Sequence, residues 1–216
     1  MFSGNSFTAV ILSSPTMMVL LACSVIVVTF ALERWWFFTR TGTSANRFHE
    51  TMRKYLSRNQ LSEFATWCQS GKSSLTRILG VAAENARLDK EAVDQLLDIE
   101  MEKEQVHMEK NLAVLGTLAN IAPLLGLFGT VVGIIRAFKD IAVTGSGGSS
   151  VIAMGVAEAL LTTAAGIIVA VIATVFFNIF SRKIRVRSIE VEDARNWFWK
   201  YLGRIGAPDK PGAAGQ

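Results

Sequence analysis

The sequence predicts an all-α, polytopic membrane protein with three transmembrane helices. Charged residues are dense in some stretches and nearly absent from long apolar windows, a block pattern typical of membrane proteins that also carry a polar helical portion. Residues 111–135 are uncharged over 25 positions, and residues 159–181 over 23. Because a helix crosses about 30 Å of hydrocarbon with about 20 apolar residues, each run is long enough to span a membrane.

A first span is predicted at residues 16–38, after a segment, residues 1–15, that lacks Lys and Arg. Its far end carries Arg34 and four consecutive aromatic residues, 35–38, which is typical of an interfacial belt. A cleaved signal peptide would show a basic segment before the apolar run and a small-x-small site after it, and the sequence has neither. We therefore expect a retained helix.

Basic residues predict the orientation of the three spans. They cluster after the first and the last span, whereas the connection after the second span offers little beyond Lys139 and its neighbour Asp140. By the positive-inside rule, the N-terminus lies outside, in the periplasm, and the C-terminus lies inside. The clustered bases are Arg34, Arg40, Arg47, Arg53, Lys54, Arg182, Lys183, Arg185 and Arg187.

Residues 39–111 are predicted to form a cytoplasmic helical domain. Helical periodicity covers residues 48–68 and 75–87, with a break at Gly71 and two candidate N-caps at the adjacent serines, residues 73–74.

The last helix of this domain is predicted over residues 89–115. No Gly or Pro interrupts that stretch, so we expect it to continue directly into the second span as one helix. Nine of the eighteen acidic residues fall within residues 84–109; they form either a solvated face or an acidic vestibule that collects cations. The periodic apolar positions are Val93, Leu97, Met101, Met108, Leu112 and Leu115.

The second and third spans are predicted at residues 112–138 and 150–181, joined by an outer loop at residues 139–149. Residues 182–202 continue the third helix into the cytoplasm, and the glycine- and proline-rich residues 203–216 form a disordered tail.

Small residues recur along both of these spans, and Pro123 predicts a kink in the second. Small residues let helix backbones approach closely in a membrane, which explains them without any role in conduction. The predicted packing positions are Gly126, Gly129, Gly133, Gly155 and Gly166.

Glu158 is the candidate functional residue, because a carboxylate at membrane depth costs about 2.5–3.5 kcal/mol on insertion scales and marks a functional site by default. Thr130 and Glu158 each lie 14 residues from Thr144, so antiparallel helices place them at similar depth. Thr162 and Thr163 follow Glu158 by one turn. These four residues form the predicted ion pathway. The alternatives are that Glu158 only bonds a neighbouring helix and that the threonines bond their own helix.

Two motifs carry a family resemblance. Residues 126–134 read GLFGTVVGI and residues 155–166 read GVAEALLTTAAG. Here the sequence closely resembles the MotA/TolQ/ExbB proton-channel family, and Phe177-Asn178 is similar to that family's aromatic-Asn pair. The resemblance is strong over residues 112–182 and architectural elsewhere, and the three-span layout looks like the ExbB/TolQ branch.

The resemblance implies a homo-pentamer whose central pore holds two single-span subunits of the ExbD/TolR type, in a bacterial inner membrane. A membrane aspartate on each partner would carry the ion, and ion flow would turn one set of helices inside the other. Thr130 and Thr163 match the family's pore-facing threonines, and Glu158 matches its third-span glutamate. The motor would then drive a TonB- or TolA-like protein, for example in TonB-dependent outer-membrane transport.

The sequence departs from the family pattern at two places. Residues 170–173 read AVIA where relatives commonly carry a proline, so a proline-dependent kink is not expected in the third span. Thr162 adds a hydroxyl where relatives often have a small apolar residue. An extra oxygen ligand would favour sodium over protons, a hypothesis that the sodium dependence of activity at fixed pH would test.

Other functional classes stay open or are excluded. A stand-alone ion channel and a structural scaffold remain alternatives, as do motors of the same family that serve envelope integrity, secretion or gliding motility. Two cysteines and two histidines give no metal-ligand cluster, and no cofactor is implied. We find no nucleophile–base pair or phosphate loop, so an enzyme is not expected. The basic residues lie beside the spans and do not predict nucleic-acid binding.

Overall fold

The computed structural model describes residues 15–42, 44–144 and 149–206. Helices are the only regular structure in these residues, which confirms the predicted all-α class. The predicted N-terminal segment up to residue 14, the centre of the predicted outer loop and the predicted tail from residue 207 lie outside the described residues. The helices are α1 (Pro15–Arg40), α2 (Ala45–Leu56), α3 (Leu61–Ser70), α4 (Ser74–Glu84), α5 (Lys90–Glu109), α6 (Leu112–Thr144) and α7 (Ser149–Gly206).

Within the described residues, three helices, α1, α6 and α7, are long and apolar enough to cross a membrane, by length and composition. They are the three helices that the sequence predicts as spans. Helix α7 is 58 residues long without a break, as expected from the prediction that the third span continues past Ser181. Pro123 lies inside α6, and the helix continues through it.

The predicted continuity between the acidic helix and the second span is wrong. Helix α5 ends at Glu109 and α6 begins at Leu112. Between them, Asn111 adopts a φ of 65°, a left-handed conformation that asparagine tolerates better than most residues. The Asn111 amide also donates a hydrogen bond to Glu33 Oε2 at 3.4 Å. One residue with an unusual φ is enough to end a helix whose apolar pattern continues.

The helix predicted over residues 48–68 is also divided. Helix α2 ends at Leu56 and α3 begins at Leu61, and Asn59 between them has a φ of 58°. The predicted break at Gly71 is confirmed, because Gly71 is the C-cap of α3. Of the two candidate serines, Ser73 is the N-cap of α4: its hydroxyl accepts a hydrogen bond from the Thr76 amide, and the Thr76 hydroxyl accepts one from the Ser73 amide.

The chain divides into two compact units. The spanning unit contains residues 15–36 and Asn111–Ser181; the polar unit contains Phe37–Lys110 and residues 182–206. The spanning unit therefore holds most of α1, all of α6 and the first part of α7. The polar unit holds α2 to α5 with the end of α7.

A core of large side chains stabilises the polar unit. One contiguous cluster contains five large side chains that are 0% exposed: Phe48, Phe64, Leu79, Leu97 and Phe198. Burying an aromatic or aliphatic side chain contributes about 1.5–3 kcal/mol, so this cluster accounts for the unit's compactness. The predicted helix face of α5 is confirmed, since Val93, Leu97 and Met108 are all buried.

Two charged side chains of the polar unit are held by specific partners. Glu104 is 8% exposed and accepts hydrogen bonds from Ser74 Oγ at 2.7 Å and from Arg77. Arg187 donates to Thr41 Oγ1 at 2.8 Å and to the Phe38 carbonyl at 3.0 Å. Burial lowers the pKa of Arg187, and the nearby carboxylates act in the opposite direction. Most other acids of residues 84–109 are exposed, as a solvated face predicts.

Candidate ion pathway

Close contact between α6 and α7 positions the candidate site. A β-carbon on Gly133 would lie 2.9 Å from Ala159 Cβ, and one on Gly155 would lie 2.6 Å from Ala137 Cβ. Real β-carbons do not approach this closely, so the two helices meet where side chains are absent or minimal. All five predicted packing glycines lie at this contact: Gly126, Gly129, Gly133, Gly155 and Gly166.

This packing fixes the depth of Glu158. Its neighbour Ala159 contacts Gly133, and Thr162, one turn along α7, contacts Gly129. Thr130 is adjacent to Gly129 in sequence, so it lies within about one helical turn of the level of Glu158. Thr130 and Glu158, which were predicted to lie at similar depth, are therefore within about one turn of each other along the paired helices.

Glu158 is half-buried on the wall of a cavity of about 140 Å³. It forms no ion pair or hydrogen bond with another residue in the described part of the chain. The cavity beside the carboxylate has room for several water molecules. Its walls are Gly129, Val132, Gly133, Arg136, Ala137, Asp140, Met154, Gly155, Glu158, Ala159 and Thr162.

The three threonines differ in what their hydroxyls contact. Thr130 Oγ1 donates to the Leu127 carbonyl of its own helix at 2.6 Å. Thr162 is 1% exposed, and its hydroxyl donates to the Ala159 carbonyl at 2.7 Å. Thr162 and Thr163 both reach α6 as well, because their Oγ1 atoms lie 3.4 and 3.0 Å from the Gly126 carbonyl oxygen.

The structure brings two of the four predicted pathway residues together. Glu158 and Thr162 line the same cavity, whereas Thr130 and Thr163 lie outside its lining. Thr162, raised above as a possible sodium ligand, is 1% exposed, and its hydroxyl donates to the Ala159 carbonyl.

Arg136 is a charged residue of the site that the sequence pattern did not single out. It lies one residue beyond the uncharged run, where a base looks like an ordinary interfacial anchor. The signal that could have found it is its position three residues after Gly133, since residues three apart share a helix face. The structure places Arg136 on the cavity wall with Glu158 and Asp140.

A second polar cavity, of about 510 Å³, lies nearer the N-terminal end of α6. Its polar lining consists of hydroxyls and amides, and three of these side chains bond their own helix: Thr117 to Ala113, Asn120 to Gly116 and Thr174 to Ala170. Asn178, the asparagine of the resemblance, is the fourth polar residue of this lining.

Comparison with known proteins identifies the family. The model of the MotA/TolQ/ExbB proton channel family matches residues 71–193. This range contains all of α6 and the four predicted pathway residues, Thr130, Glu158, Thr162 and Thr163. The chain belongs to this family. It is therefore a membrane protein of a proton-channel family, as the two motifs predicted.

The relatives that match include ExbB and TolQ proteins. The biopolymer transport protein ExbB of Pseudomonas putida is 44% identical over 88 residues, which cover 41% of this chain and 27% of that protein. An ExbB-like biopolymer transport protein of Synechocystis is 32% identical over 170 residues, which cover 74% of this chain and 64% of that protein. The Tol-Pal system protein TolQ of Pseudomonas aeruginosa is 34% identical over 93 residues, covering 43% and 40%. The chain thus spans less than two thirds of these relatives' lengths.

Proposed function

We propose that this protein is the channel-forming subunit of an ExbB/TolQ-type motor driven by the ion-motive force across a bacterial inner membrane. The observation that supports this most directly is Glu158, a carboxylate on the wall of a cavity between two apolar helices. Because an ionisable group at that depth is costly, a packing role alone would not favour it. Its family, a proton-channel family, supplies the matching activity.

Glu158 would bind a proton transiently and then release it along the pathway. A carboxylate alternates between a charged and a neutral form, and the balance follows the charges that pass near it. Hydroxyls such as those of Thr130 and Thr163 solvate a proton where bulk water is excluded. In this proposal, a carboxylate on a partner helix exchanges the proton with this site, and the exchange is coupled to rotation of that helix.

The proposed assembly is a pentamer around two single-span subunits of the ExbD/TolR type. Large apolar side chains cover the outer faces of α6 and α7 within the spanning unit and are 36–72% exposed on the single chain. Such surfaces need lipid or other chains to cover them. The names of the relatives, a biopolymer transporter and a Tol-Pal component, support an output through a TonB- or TolA-like protein. The exposed side chains include Leu124, Leu127, Phe128, Val131, Ile134, Ile135, Phe138 and Leu160.

The test is proton flux into proteoliposomes that contain this protein with the single-span subunit encoded beside it. Glu158→Gln keeps the size of the side chain and removes its ionisation. We therefore expect proton flux under an imposed membrane potential to fall by about a hundredfold, since loss of a proton-transfer group typically lowers a rate by about 10²–10⁴. Glu192→Gln is the matched control, because Glu192 is an exposed glutamate on the same helix.

The outcomes separate the candidate functions. Flux that is unchanged in Glu158→Gln would leave only a scaffold role for Glu158. Flux without the single-span subunit would indicate a stand-alone channel. Native mass spectrometry of the same preparation should show five copies of the 23.6 kDa chain with two small subunits; a monomer that ignores the partner would contradict the assembly.

A further inference from the structure

We propose that an exposed stripe on α5 of one copy packs against an exposed stripe on α7 of the neighbouring copy. The inference rests on the proposed function, because the proposed pentamer supplies the neighbouring copy. It names the surfaces through which two copies of this chain recognise one another. Both surfaces belong to the polar unit.

The stripe on α5 lies on the side of the helix opposite its buried face. Val93, Leu97 and Met108 are buried, whereas Ile99 and Val106, two turns apart, are 50% and 65% exposed. Exposed charged residues lie beside these two apolar side chains on the helix surface. The α5 stripe, read backwards from the end of the helix, consists of Glu109, Val106, Lys103 and Ile99.

The stripe on α7 follows the helix at intervals of four residues. Ile189 and Trp197 are 53% and 41% exposed, and Arg185 and Asp193 are exposed between and before them. Because residues four apart are neighbours on a helix surface, these side chains form one continuous strip. The α7 stripe is therefore Arg185, Ile189, Asp193 and Trp197. The buried residues of this part of α7 lie on its other side: Ile184, Val191, Ala194 and Phe198.

The two stripes are complementary at each position. Read backwards from Glu109, the α5 stripe presents an acid, an apolar residue, a base and an apolar residue. Read forwards from Arg185, the α7 stripe presents a base, an apolar residue, an acid and an aromatic residue. Complementary charges fix the register of an interface and oppose wrong pairings, while the apolar residues between them gain from being removed from water.

Two hydrogen bonds within the chain define the relative levels of α5 and α7. Arg195 Nη1 donates to Asp98 Oδ1 at 2.6 Å, and Trp199 Nε1 donates to Asp94 Oδ1 at 2.9 Å. Four residues forward on α7 thus correspond to four residues backward on α5. The two helices are therefore antiparallel, and each residue changes the level by about 1.5 Å.

This register places the members of the two stripes at matching levels. Glu109 is eleven residues after Asp98, so it is level with the residue eleven before Arg195, which is next to Arg185. The same count puts the partners of every other pair within three residues, or about 4.5 Å, of one level. The pairs are Glu109–Arg185, Val106–Ile189, Lys103–Asp193 and Ile99–Trp197.

A ring of copies preserves this match between neighbours. A contact between two different surfaces, repeated around a rotation axis, closes into a ring. When that axis runs along the α5–α7 pair, residues of equal level in one copy stay at equal level in the next copy. The α5 stripe of each copy then meets the α7 stripe of its neighbour in register.

Charged residues next to the α5 stripe are compatible with this pairing. Glu102 lines a groove together with Ser188 and Val191 of its own chain. Lys103 bonds Glu100 of its own helix at 2.6 Å, and the pair is exposed. Isolated exposed ion pairs contribute little, whereas networks contribute more. A carboxylate from the next copy turns this pair into such a network.

Cysteine cross-linking tests the contact. The full chain is expressed with the single-span subunit encoded beside it, and its membranes are treated with a short bifunctional maleimide. Val106→Cys and Ile189→Cys in one chain should give a ladder of multiples of 23.6 kDa, up to five copies. The unmodified protein should give no ladder, because its two cysteines, Cys23 and Cys68, are buried.

Two further cross-linking samples show whether the contact joins separate copies at the expected level. Chains with Val106→Cys alone, co-expressed with chains that carry Ile189→Cys alone, should give dimers and nothing larger, and each variant by itself should stay monomeric. Val106→Cys with Trp197→Cys is the matched control. It uses the same two stripes with a mismatch of ten residues, or about 15 Å, and should give no ladder.

Charge reversal tests the same pairing without cysteines. Arg185→Glu places like charges at the level of Glu109, once at each interface of the ring. We expect the ratio of five-copy assemblies to free chains in native mass spectrometry to fall by about tenfold. Glu109→Arg in the same chain should restore the ratio. Lys54→Glu is the control, because Lys54 is an exposed base on α2, outside both stripes.

The outcomes separate this inference from the proposed function. Five copies and proton flux without the Val106→Cys and Ile189→Cys ladder would overturn the inference and leave the proposed function intact. The inference also fails if Glu109→Arg does not rescue Arg185→Glu. A ladder from a protein that conducts no protons would support the interface and overturn the motor. A monomer in native mass spectrometry, with no ladder, would overturn both.

Discussion

The spanning unit and the polar unit bury small and large side chains in different proportions. In the polar unit the most buried positions are large, such as Phe48, Phe64 and Phe198, each 0% exposed. In the spanning unit many are small, such as Ala122 and Ala173, also 0% exposed; some large residues, such as Phe180, are buried too, but most large apolar residues point outward.

This difference reflects the solvent of each unit. Water drives large apolar side chains inward, because burial removes apolar surface from water. Lipid gives no such driving force, so helices in a membrane associate through close backbone approach at small residues. The same chain therefore follows two packing rules, and the change occurs inside continuous helices such as α7. Substitutions of the same type in both units test this comparison.

The largest expected effect is that of Phe64→Ala in the polar unit. Phe64 is fully buried and packs against the rings of Trp67 and Phe198 at centroid distances of 6.0 and 6.4 Å. Truncating such a phenylalanine costs about 3–5 kcal/mol. Thermal unfolding of the detergent-solubilised protein, followed by tryptophan fluorescence, should show a markedly lower transition temperature.

Phe128→Ala in the spanning unit is the matched substitution. Phe128 is 57% exposed, and truncation of exposed side chains changes stability by about 0.5 kcal/mol or less. We expect no clear shift of the transition in the same measurement. A loss as large as that of Phe64→Ala would mean that another copy of the chain, rather than lipid, covers Phe128.

Ser74→Ala should have an intermediate effect, because the polar unit also buries a charge. The Ser74 hydroxyl donates to Glu104, which is 8% exposed, and hydrogen bonds to charged groups contribute about 1.5–3 kcal/mol. Removing this donor leaves Glu104 with Arg77 alone. Ser70→Ala is the control, since the exposed Ser70 hydroxyl only bonds the Trp67 carbonyl. Equal transition temperatures for the two variants would contradict a stabilising role for this bond.

Hydropathy and charge predicted most of the fold because they act over many residues. Spans of 20 or more apolar residues and the buried face of α5 follow from repeated signals, whereas the break at Gly71 follows from a residue type that commonly ends helices. The missed breaks each depend on one asparagine, Asn59 or Asn111, with a positive φ. A single backbone angle leaves no trace in a periodic pattern of apolar residues.

Of the charged residues of the candidate site, the sequence predicts Glu158 but not Arg136. Glu158 stands out because it interrupts an apolar stretch, and its depth follows from helix rise. Arg136 does not stand out, because it lies at the end of a span, where bases are ordinary. Its relation to Glu158 depends on which faces of α6 and α7 meet. That in turn depends on backbone contacts such as the one between Gly166 and Ala122.

Gly166→Ala tests the packing rule of the spanning unit with the smallest change that chemistry allows. The added β-carbon would lie 2.6 Å from the Ala122 carbonyl oxygen and 3.0 Å from Gly126 Cα. Both are backbone atoms, which cannot rotate away, so the helices must separate at an overpacking cost of about 1–3 kcal/mol. This cost opposes the gain of up to about 1 kcal/mol that alanine brings to a helix interior.

Gly203→Ala on the same helix separates the overpacking cost from the gain in helix propensity. A β-carbon on Gly203 would meet no atom within 4 Å, so this variant gains helix propensity without overpacking, and we expect equal or higher thermal stability. Gly166→Ala should lower the temperature at which the solubilised protein loses its folded peak in size-exclusion chromatography. If both alanines stabilise the protein, α6 and α7 do not depend on backbone contact at Gly166, and the packing rule inferred for the spanning unit fails.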